Sequence, residues 1–187
     1  MINSETLISI FLGISLAASV GFRVFLPLFV LSLAAYFDVL DVNEKWQWLA
    51  SIPALITFGV AMLFEVFAYY IPLIDNLLDI IAVPLAAIAG TAVMVSTLVD
   101  LDPLFTWSLA IIAGGGTAAA ISSSTSATRA VSTATTVGIG NPIVSTVETG
   151  AAATLSIVSV FIPIIGILLT IFVLFIIIRF YRKIKKG

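Results

Sequence analysis

Residues 7–37 read LISIFLGISLAASVGFRVFLPLFVLSLAAYF, and Arg23 is the one charged side chain among them. As a single helix this stretch would be about 46 Å long at 1.5 Å per residue. The hydrocarbon core of a bilayer is only about 30 Å thick. The stretch must therefore break or turn inside the membrane, and we place the break at residues 19–23, one turn before Pro27.

The composition of the whole chain agrees with a membrane environment. Of the 187 residues, 61% are apolar and 10% are charged, whereas a soluble domain carries roughly a quarter charged residues. The length suffices for about six spans of roughly 20 residues each. We therefore predict an all-α, polytopic transmembrane helical bundle of about six spans, with broken or re-entrant helices, forming a single domain over residues 1–187.

Several classes of function are not expected. The chain contains no cysteine and no histidine, which removes disulfides, thiolate or imidazole metal sites and catalysis by either side chain. The residues specify no cofactor, and we do not expect an enzyme. The net charge of −2 predicts no nucleic-acid partner. Glu5 and the absence of a basic residue before the first apolar segment argue against a signal peptide, so that segment is expected to be retained.

The rest of the chain alternates between apolar segments and short polar stretches. A hydrophilic loop at residues 38–45 precedes Trp46 and Trp48, which suit an interfacial anchor. Asp102 is expected to cap a helix that begins at Pro103. Apolar helices are predicted at residues 49–70, 72–99, 107–121, 143–158 and 163–178. The basic tail at residues 179–187 predicts a chain in the cell membrane with its C-terminus in the cytoplasm.

An internal repeat is suggested by two stretches that lie 91 residues apart. IPLIDNLLDI at residues 71–80 and IPIIGILLTI at residues 162–171 agree at six of ten positions. Arg23 and Arg129 form a second pairing at an offset of 106, and the acidic loop missing from the second half accounts for the difference. These pairings predict repeats at residues 7–99 and 104–180, in inverted topology if each crosses the membrane an odd number of times. The alternative is a chance match between apolar segments.

Two arginines lie within these apolar surroundings. An ionised side chain at the bilayer centre costs at least roughly 2.5–3.5 kcal/mol on insertion scales. Arg23 and Arg129 should therefore face the protein interior or water, either binding an anion or acting as counter-ions at a broken helix. The alternative is that they snorkel to the interface or form purely structural ion pairs.

Four acidic residues are candidates for the same site. Asp75 and Asp79 are four residues apart and share a helical face, although Asp75 also suits the helix N-terminus that follows Pro72. Glu65 lies within an apolar helix. These three acids can coordinate a cation, relay protons or neutralise the arginines. Glu148 follows the break at residues 141–142 by six residues and can line a cavity, and its predicted neighbours there are Asn141 and Ser145.

The run of hydroxyl side chains at residues 122–136 has two interpretations. It can form a broken helix that lines a water-filled or ion-coordinating path. It can equally be a closely packed helix whose hydroxyls bond to its own backbone. For the first interpretation, the candidate lining residues are Thr125, Ser132 and Thr136.

Three stretches resemble one known family. They are GFRVFLP at residues 21–27, the pair Asp75 and Asp79, and RAVSTATT at residues 129–136 running into GNPIVSTVE at residues 140–148. Together they are similar to the DUF4126 family of small bacterial integral membrane proteins, over about residues 12–173. The resemblance implies a polytopic membrane protein that shares these polar positions, and it implies no activity, substrate or cofactor. The family's usual second acid after the last glutamate is Thr149 here.

These observations lead to one functional expectation and two alternatives. We expect a transporter or channel for a small ion or polar solute, in which broken helices near residues 21–23 and 126–142 meet at the midplane. The arginines would bind an anionic group, or balance the carboxylates around a cation. The alternatives are a lipid-phosphate-binding or lipid-translocating protein and a non-transporting scaffold. Membrane lipids are expected partners in each case, and a homo-oligomer is compatible with all three.

Overall fold

A computed structural model of the chain describes residues 3–99 and 101–184, and all regular structure in these two ranges is helical. The helices are α1 (Ser4–Val20), α2 (Phe25–Tyr36), a 3₁₀ helix (Glu44–Ala50), α3 (Ile52–Ala68), α4 (Pro72–Thr97), α5 (Pro103–Leu109), a π-helical turn (Ala110–Gly115), α6 (Gly116–Thr136), α7 (Asn141–Phe161) and α8 (Pro163–Ile184).

Proline and capping side chains set several helix starts. Pro72, Pro103 and Pro163 each open a helix, where the missing backbone N–H costs nothing. The carboxylate of Asp102 accepts a hydrogen bond from the Leu104 amide at 2.9 Å, which confirms the predicted cap. The basic residues at the end of α8 are exposed as far as Lys183. The last three residues of the predicted tail, 185–187, lie outside the described residues.

The structure contains fewer candidate spans than the sequence predicts. Among the described residues, four helical segments are long and apolar enough to cross a bilayer: Ile74–Thr97, Pro103–Thr136, Asn141–Phe161 and Pro163–Lys183. A fifth is obtained if the 3₁₀ helix and α3 count as one span bent by 66°. The predicted total of about six is not confirmed, because α1 and α2 are each too short to cross alone.

The predicted break in the first apolar stretch is confirmed at residues 21–24, between α1 and α2. Val24, at this break, lines the same groove as Ala82 and Leu85 in the middle of α4. At the other end, Gly13 of α1 lies against Thr97, and the Asn43 amide after α2 donates to the Ser96 carbonyl at 2.8 Å. Both helices therefore run between the C-terminal end of α4 and its middle, so α1 and α2 form a helical hairpin. We call residues 21–24 the hairpin tip.

Close backbone approach requires glycine at the hairpin tip. A Cβ atom on Gly21 would lie 2.7 Å from the Ala118 carbonyl oxygen and 2.6 Å from Ile121 Cβ. The π-helical turn makes a similar approach to α4, since a Cβ on Gly114 would lie 2.7 Å from the Gly90 carbonyl oxygen. These glycines let α1, α4 and the α5–α6 segment pack with little space between their backbones.

The second break lies at the C-terminal end of the predicted range, residues 126–142. Helix α6 is continuous through Thr136, and the chain turns only at residues 137–140, where Val137 and Gly138 have φ angles of 55° and 85°. The break therefore follows the hydroxyl-rich run at residues 122–136, which is itself an intact helix. Its hydroxyls bond to carbonyls of the preceding turn, as in Thr128 to Ser124 at 2.9 Å. The helix thereby satisfies its own polar side chains.

The pairs α3–α4 and α7–α8 run in opposite directions. The turn between α3 and α4 lies beside the start of α7, where the hydroxyls of Tyr70 and Thr146 are 2.8 Å apart. The turn between α7 and α8 lies at the other end of the bundle, because Gly166 sits against Ser15 of α1. The hairpin tip is held between these two pairs.

Candidate functional site

Both predicted arginines are buried together near the centre of the bundle. Arg23 at the hairpin tip is 1% exposed, and Arg129 of α6 is 2% exposed. Their guanidinium carbons lie 4.1 Å and 4.0 Å from the centre of the Tyr69 ring, which follows α3. A single aromatic ring therefore contacts both cations, at a distance where the cation–π attraction is strong in a dry environment.

Arg129 is surrounded by three carboxylates. Its Nη1 lies 3.2 Å from Asp75 Oδ1, its Nε lies 3.4 Å from Asp79 Oδ1, and its Nη2 lies 3.0 Å from Glu148 Oε2. These contacts join α4, α6 and α7. The Arg129 guanidinium, and not an open space, therefore occupies the position between the three acids. Within the described ranges, no three acidic side chains are arranged so that they could hold a metal ion.

Arg23 shares Glu148 with Arg129 but otherwise has neutral partners. Its Nη1 lies 3.2 Å from Glu148 Oε2. Its Nη2 donates to the Ser145 hydroxyl at 2.6 Å, and its Nε donates to the Thr149 hydroxyl at 3.1 Å. The position at which the family resemblance implies a second acid therefore supplies a neutral acceptor here. Each nitrogen of both guanidinium groups thus has a protein oxygen within 3.4 Å, although Arg23 Nη1 and Arg129 Nε form no hydrogen bond among the described residues.

Asp75 belongs to this cluster despite its place near the start of α4. The residue is fully buried, with 0% exposure. Its Oδ2 accepts a hydrogen bond from Asn141 Nδ2 at 2.6 Å, and the same nitrogen lies 2.9 Å from the Thr133 hydroxyl. Asp75 and Asn141 therefore connect α4 to the first turn of α7. The interpretation of Asp75 as an acid that only stabilises the N-terminus of α4 is therefore incomplete, because its carboxylate also binds Arg129 and Asn141.

Glu65 lies at the edge of the cluster and contacts the hairpin tip directly. Its two carboxylate oxygens accept hydrogen bonds from the amides of Val24 at 2.8 Å and Phe25 at 2.9 Å. The first amides of a helix have no partner within the helix and favour a negative charge. Glu65 thus caps α2 from a neighbouring helix, and the tip is held by Glu65 on one side and by Glu148, through Arg23, on the other.

The charges of the cluster do not balance. Two guanidinium groups, Arg23 and Arg129, face four carboxylates, those of Glu65, Asp75, Asp79 and Glu148. With all six groups ionised, the cluster carries an excess of two negative charges. Three buried acceptor oxygens, Asn141 Oδ1 and both oxygens of Glu148, also have no hydrogen-bond partner among the described residues, although Glu148 Oε2 lies within 3.2 Å of both guanidinium groups. Unpartnered acceptors are uncommon in a protein interior, where they cost desolvation energy.

Two grooves lead from the surface of the bundle to this cluster. One, of about 290 Å³, lies between α3 and α4 and is lined by Glu65, Tyr69 and mostly apolar side chains. We call the second the α6–α8 groove. It has about 500 Å³ and is lined by Glu148 together with residues of α6, α7 and α8. Phe22 lines the second groove and Val24 lines the first, so the hairpin tip separates them.

The candidate hydroxyl residues are divided between two places. Thr125 is 9% exposed and lines the α6–α8 groove, close to the cluster. Thr136 lies at the exposed end of α6, where its hydroxyl donates to the Ser132 carbonyl at 2.7 Å and accepts from the Gly140 amide at 2.9 Å. Thr136 therefore stabilises the turn into α7. Ser132 lies beside Gly140 in the same turn, not in the cluster.

Two contributors to the site were not among the predicted residues. Tyr69 lies one helical turn after Glu65 and so shares its face, a spacing that could have identified it. Thr149 lies four residues after Ser145 and donates to the Ser145 carbonyl at 2.8 Å while it accepts from Arg23. No feature of the sequence distinguishes this threonine from its many neighbours.

Apolar helices that hold two guanidinium groups and four carboxylates away from water define a polytopic helical membrane protein with a buried charge cluster. The chain belongs to the DUF4126 family, since the model of that family, described as a domain of unknown function, matches residues 10–183. No curated protein and no solved structure matches the chain. The function must therefore be inferred from the cluster itself.

Proposed function

We propose that the protein is a membrane transporter or channel for a small ion, not an enzyme, and that the ion is a cation. The observation that carries this proposal is the excess of two carboxylates over guanidinium groups in a buried cluster. Uncompensated charge inside a membrane protein is costly and commonly marks an ion or proton path. A cation or a proton reaching the cluster would lower this cost.

The surroundings of the arginines argue against an anionic substrate. An anion would have to displace a carboxylate, hydroxyl or carbonyl oxygen from each guanidinium nitrogen that it approached. The same point counts against the lipid-phosphate alternative, because Arg23 and Arg129 are only 1% and 2% exposed. A purely structural scaffold would be expected to pair its buried charges fully. The unpartnered oxygen of Glu148 is not explained in that way.

The hairpin tip is the element that an ion would move. Glu148 Oε2 is the shared acceptor for Arg23 and Arg129, so neutralising Glu148 weakens the hold on Arg23 and hence on the tip. A ligand shifts a conformational equilibrium only through differential affinity for its two states. In this proposal, the cation binds more tightly to the state in which the hairpin tip is released, and this difference in affinity shifts the equilibrium.

The membrane topology belongs to the same proposal. We propose that α1 and α2 enter and leave the membrane on one side, and that five spans follow, with the basic C-terminus in the cytoplasm of the cell. The opposite directions of α3–α4 and α7–α8, each pair turning just before Pro72 or Pro163, support an inverted relation between these two helix pairs. In this topology residues 7–99 cross the membrane twice and residues 104–180 three times, so the inversion does not extend over the full predicted repeats. The two termini are then on opposite sides of the membrane.

Ion flux into proteoliposomes tests the transport proposal. Vesicles containing the purified chain should change their internal pH or membrane potential when a gradient of H⁺, Na⁺ or K⁺ is applied. Glu148→Gln and Arg129→Ala should abolish that signal in protein that still elutes as a folded species. Asp38→Asn, which removes a carboxylate in an exposed loop, should leave it unchanged. Absence of cation flux in the folded wild-type protein, or flux of anions, would exclude the proposal.

A further inference from the structure

The four carboxylates of the cluster differ in how many of their oxygens are already bound. Both oxygens of Glu65 accept backbone amides. Both oxygens of Asp75 are bound, one by Arg129 and the other by Asn141. Asp79 Oδ1 contacts Arg129 and accepts from Ser126 at 3.4 Å, and its side chain is 17% exposed. Glu148 contacts the arginines through Oε2 alone, neither of its oxygens is hydrogen-bonded within the described ranges, and its side chain is just 5% exposed.

Neutral oxygens lie in the same groove as Glu148. Thr125 and Thr128 line the α6–α8 groove with it. Their hydroxyl hydrogens are donated within the helix, to the carbonyls of Ser122 at 3.0 Å and Ser124 at 2.9 Å. A hydroxyl that donates its hydrogen keeps its lone pairs as acceptors. The groove therefore combines an unpartnered carboxylate oxygen with hydroxyl oxygens that can accept but not donate.

We propose that this groove binds a monovalent alkali cation, Na⁺ in the test below, through Glu148 Oε1 and the hydroxyl oxygens of Thr125 and Thr128. Hard cations take carboxylate and hydroxyl oxygens as ligands. A single positive charge at this point removes one of the two excess negative charges and gives the buried Oε1 a partner. The role of the ion as the transported species rests on the proposed function, whereas its binding does not.

Arg23 and Arg129 define the charge of the ion that fits. The guanidinium groups of Arg23 and Arg129 contact Glu148 Oε2 at 3.2 Å and 3.0 Å. Their positive charges therefore already offset the negative charge at this oxygen, whereas Oε1 has no cationic neighbour among the described residues. An ion with two positive charges would approach two guanidinium groups with one unshared carboxylate oxygen as its anionic ligand. A monovalent ion meets less repulsion from the same arrangement. The hydroxyl oxygens that line the same groove as Glu148 suit a coordinated metal ion better than a proton, which needs one acceptor.

The test measures thermal unfolding of the full chain in lipid nanodiscs, with Na⁺ exchanged for choline at constant ionic strength. The wild-type unfolding temperature should rise with Na⁺ and saturate, as expected for a ligand that binds the native state. Glu148→Gln should abolish this response. Thr128→Val, which removes one oxygen ligand, should raise the Na⁺ dissociation constant by about tenfold. The matched control is Thr135→Val, because that hydroxyl lies on the same helix but outside the groove.

Every outcome bears on the site. A wild-type protein that responds equally to Na⁺ and choline overturns the proposal, as does a Na⁺ response that persists in Glu148→Gln. If Glu148→Gln does not fold, Thr128→Val and Thr135→Val decide, and equal Na⁺ affinities in these two variants overturn the site. If the unfolding temperature depends on pH but not on Na⁺, the ligand of this site is a proton and the proposal of an alkali ion is overturned. If Na⁺ binds but no flux is seen, the transport function is contradicted and the binding site is supported. If flux is seen but Na⁺ does not stabilise the protein, the transport function is supported and the binding site is contradicted.

Discussion

Replacing Arg129 by methionine should be the most damaging single change in the cluster. The guanidinium contacts three carboxylates, those of Asp75, Asp79 and Glu148, within 3.4 Å. Methionine keeps a long, unbranched side chain of similar reach but provides no donor and no charge. The substitution therefore leaves Asp75 and Asp79 without a cationic partner and Glu148 with Arg23 alone, and it raises the excess of negative charge from two to three.

The expected loss of unfolding free energy follows from the burial of these groups. Removing one partner of a buried ion pair typically costs 3–5 kcal/mol, because the remaining charge stays desolvated, and we expect about 4–5 kcal/mol here. The side chain of Asp75 is 0% exposed and that of Glu148 is 5% exposed, so water cannot readily replace the guanidinium. Combining Arg129→Met with Asp75→Asn should recover about 1–3 kcal/mol, as expected for residues in direct contact.

Reversible unfolding of the purified protein in mixed micelles, titrated with a denaturing detergent and followed by helical circular dichroism, measures this loss. Arg179→Met is the matched control, since Arg179 is exposed on α8, and it should change the unfolding free energy by less than about 0.5 kcal/mol. If Arg129→Met cost no more than this control, Arg129 would have to be hydrated in the membrane. The buried-cluster argument would then fail.

Three further predictions concern the packing around the cluster. Tyr69→Leu should cost about 2 kcal/mol or more of unfolding free energy in the same assay, because the ring faces two desolvated guanidinium groups, while Tyr69→Phe keeps most of the ring's attraction. Gly114→Ala should cost about 1–3 kcal/mol, since the new Cβ would lie 2.7 Å from the Gly90 carbonyl oxygen. Gly150→Ala meets nothing within 4 Å and should be neutral or stabilising by up to about 1 kcal/mol; equal effects of the two alanines would contradict the close-packing argument. Glu65→Gln should speed hydrogen exchange of the first α2 amides by about tenfold, measured by mass spectrometry, and unchanged exchange would show that Glu65 does not cap α2.

The helix boundaries were largely accessible from the sequence because proline and chain length limit the choices. Residues 7–37 are too long for one span, and the break appears at the glycine where backbones approach, Gly21. Pro72 and Pro163 each open a helix, where their missing amide N–H needs no partner. The glycines at residues 114–116 favour close packing, as found at Gly114, whereas no feature of the sequence indicates the π-helical turn that contains Gly114.

The hydroxyl-rich run was the least predictable segment. Its polarity is compatible with a broken helix in contact with water and with an intact helix that bonds to its own carbonyls. The second arrangement is the one found at Ser123, Thr128 and Thr135. The local pattern is identical in both cases, because a hydroxyl one turn from a carbonyl is present either way. Only the packing of α6 against α4 distinguishes them.

The members of the site could be named from the sequence, but their roles could not. Arg23, Arg129 and the acids are conspicuous because ionised groups are expensive in an apolar chain. Their pairing depends on contacts across many residues, such as the 54 between Asp75 and Arg129. Glu65 shows the limit most clearly, because a carboxylate that caps a distant helix and one that binds an ion have the same local sequence.

The sharing of one carboxylate oxygen by two arginines gives Glu148 a position that no other acid in the cluster has. Arg23 belongs to the hairpin tip and Arg129 to α6, and both contact Glu148 Oε2. A charge that arrives at Oε1 is two bonds away from this shared atom and weakens both ion pairs together. Of the two arginines, Asp75 and Asp79 contact only Arg129, so neutralising either acid leaves the contact between Arg23 and Glu148 intact. Occupation of the α6–α8 groove is therefore coupled to the hairpin tip through a single side chain, and substitutions at Glu148 should separate the tip from α6 in a way that substitutions at Asp75 or Asp79 do not.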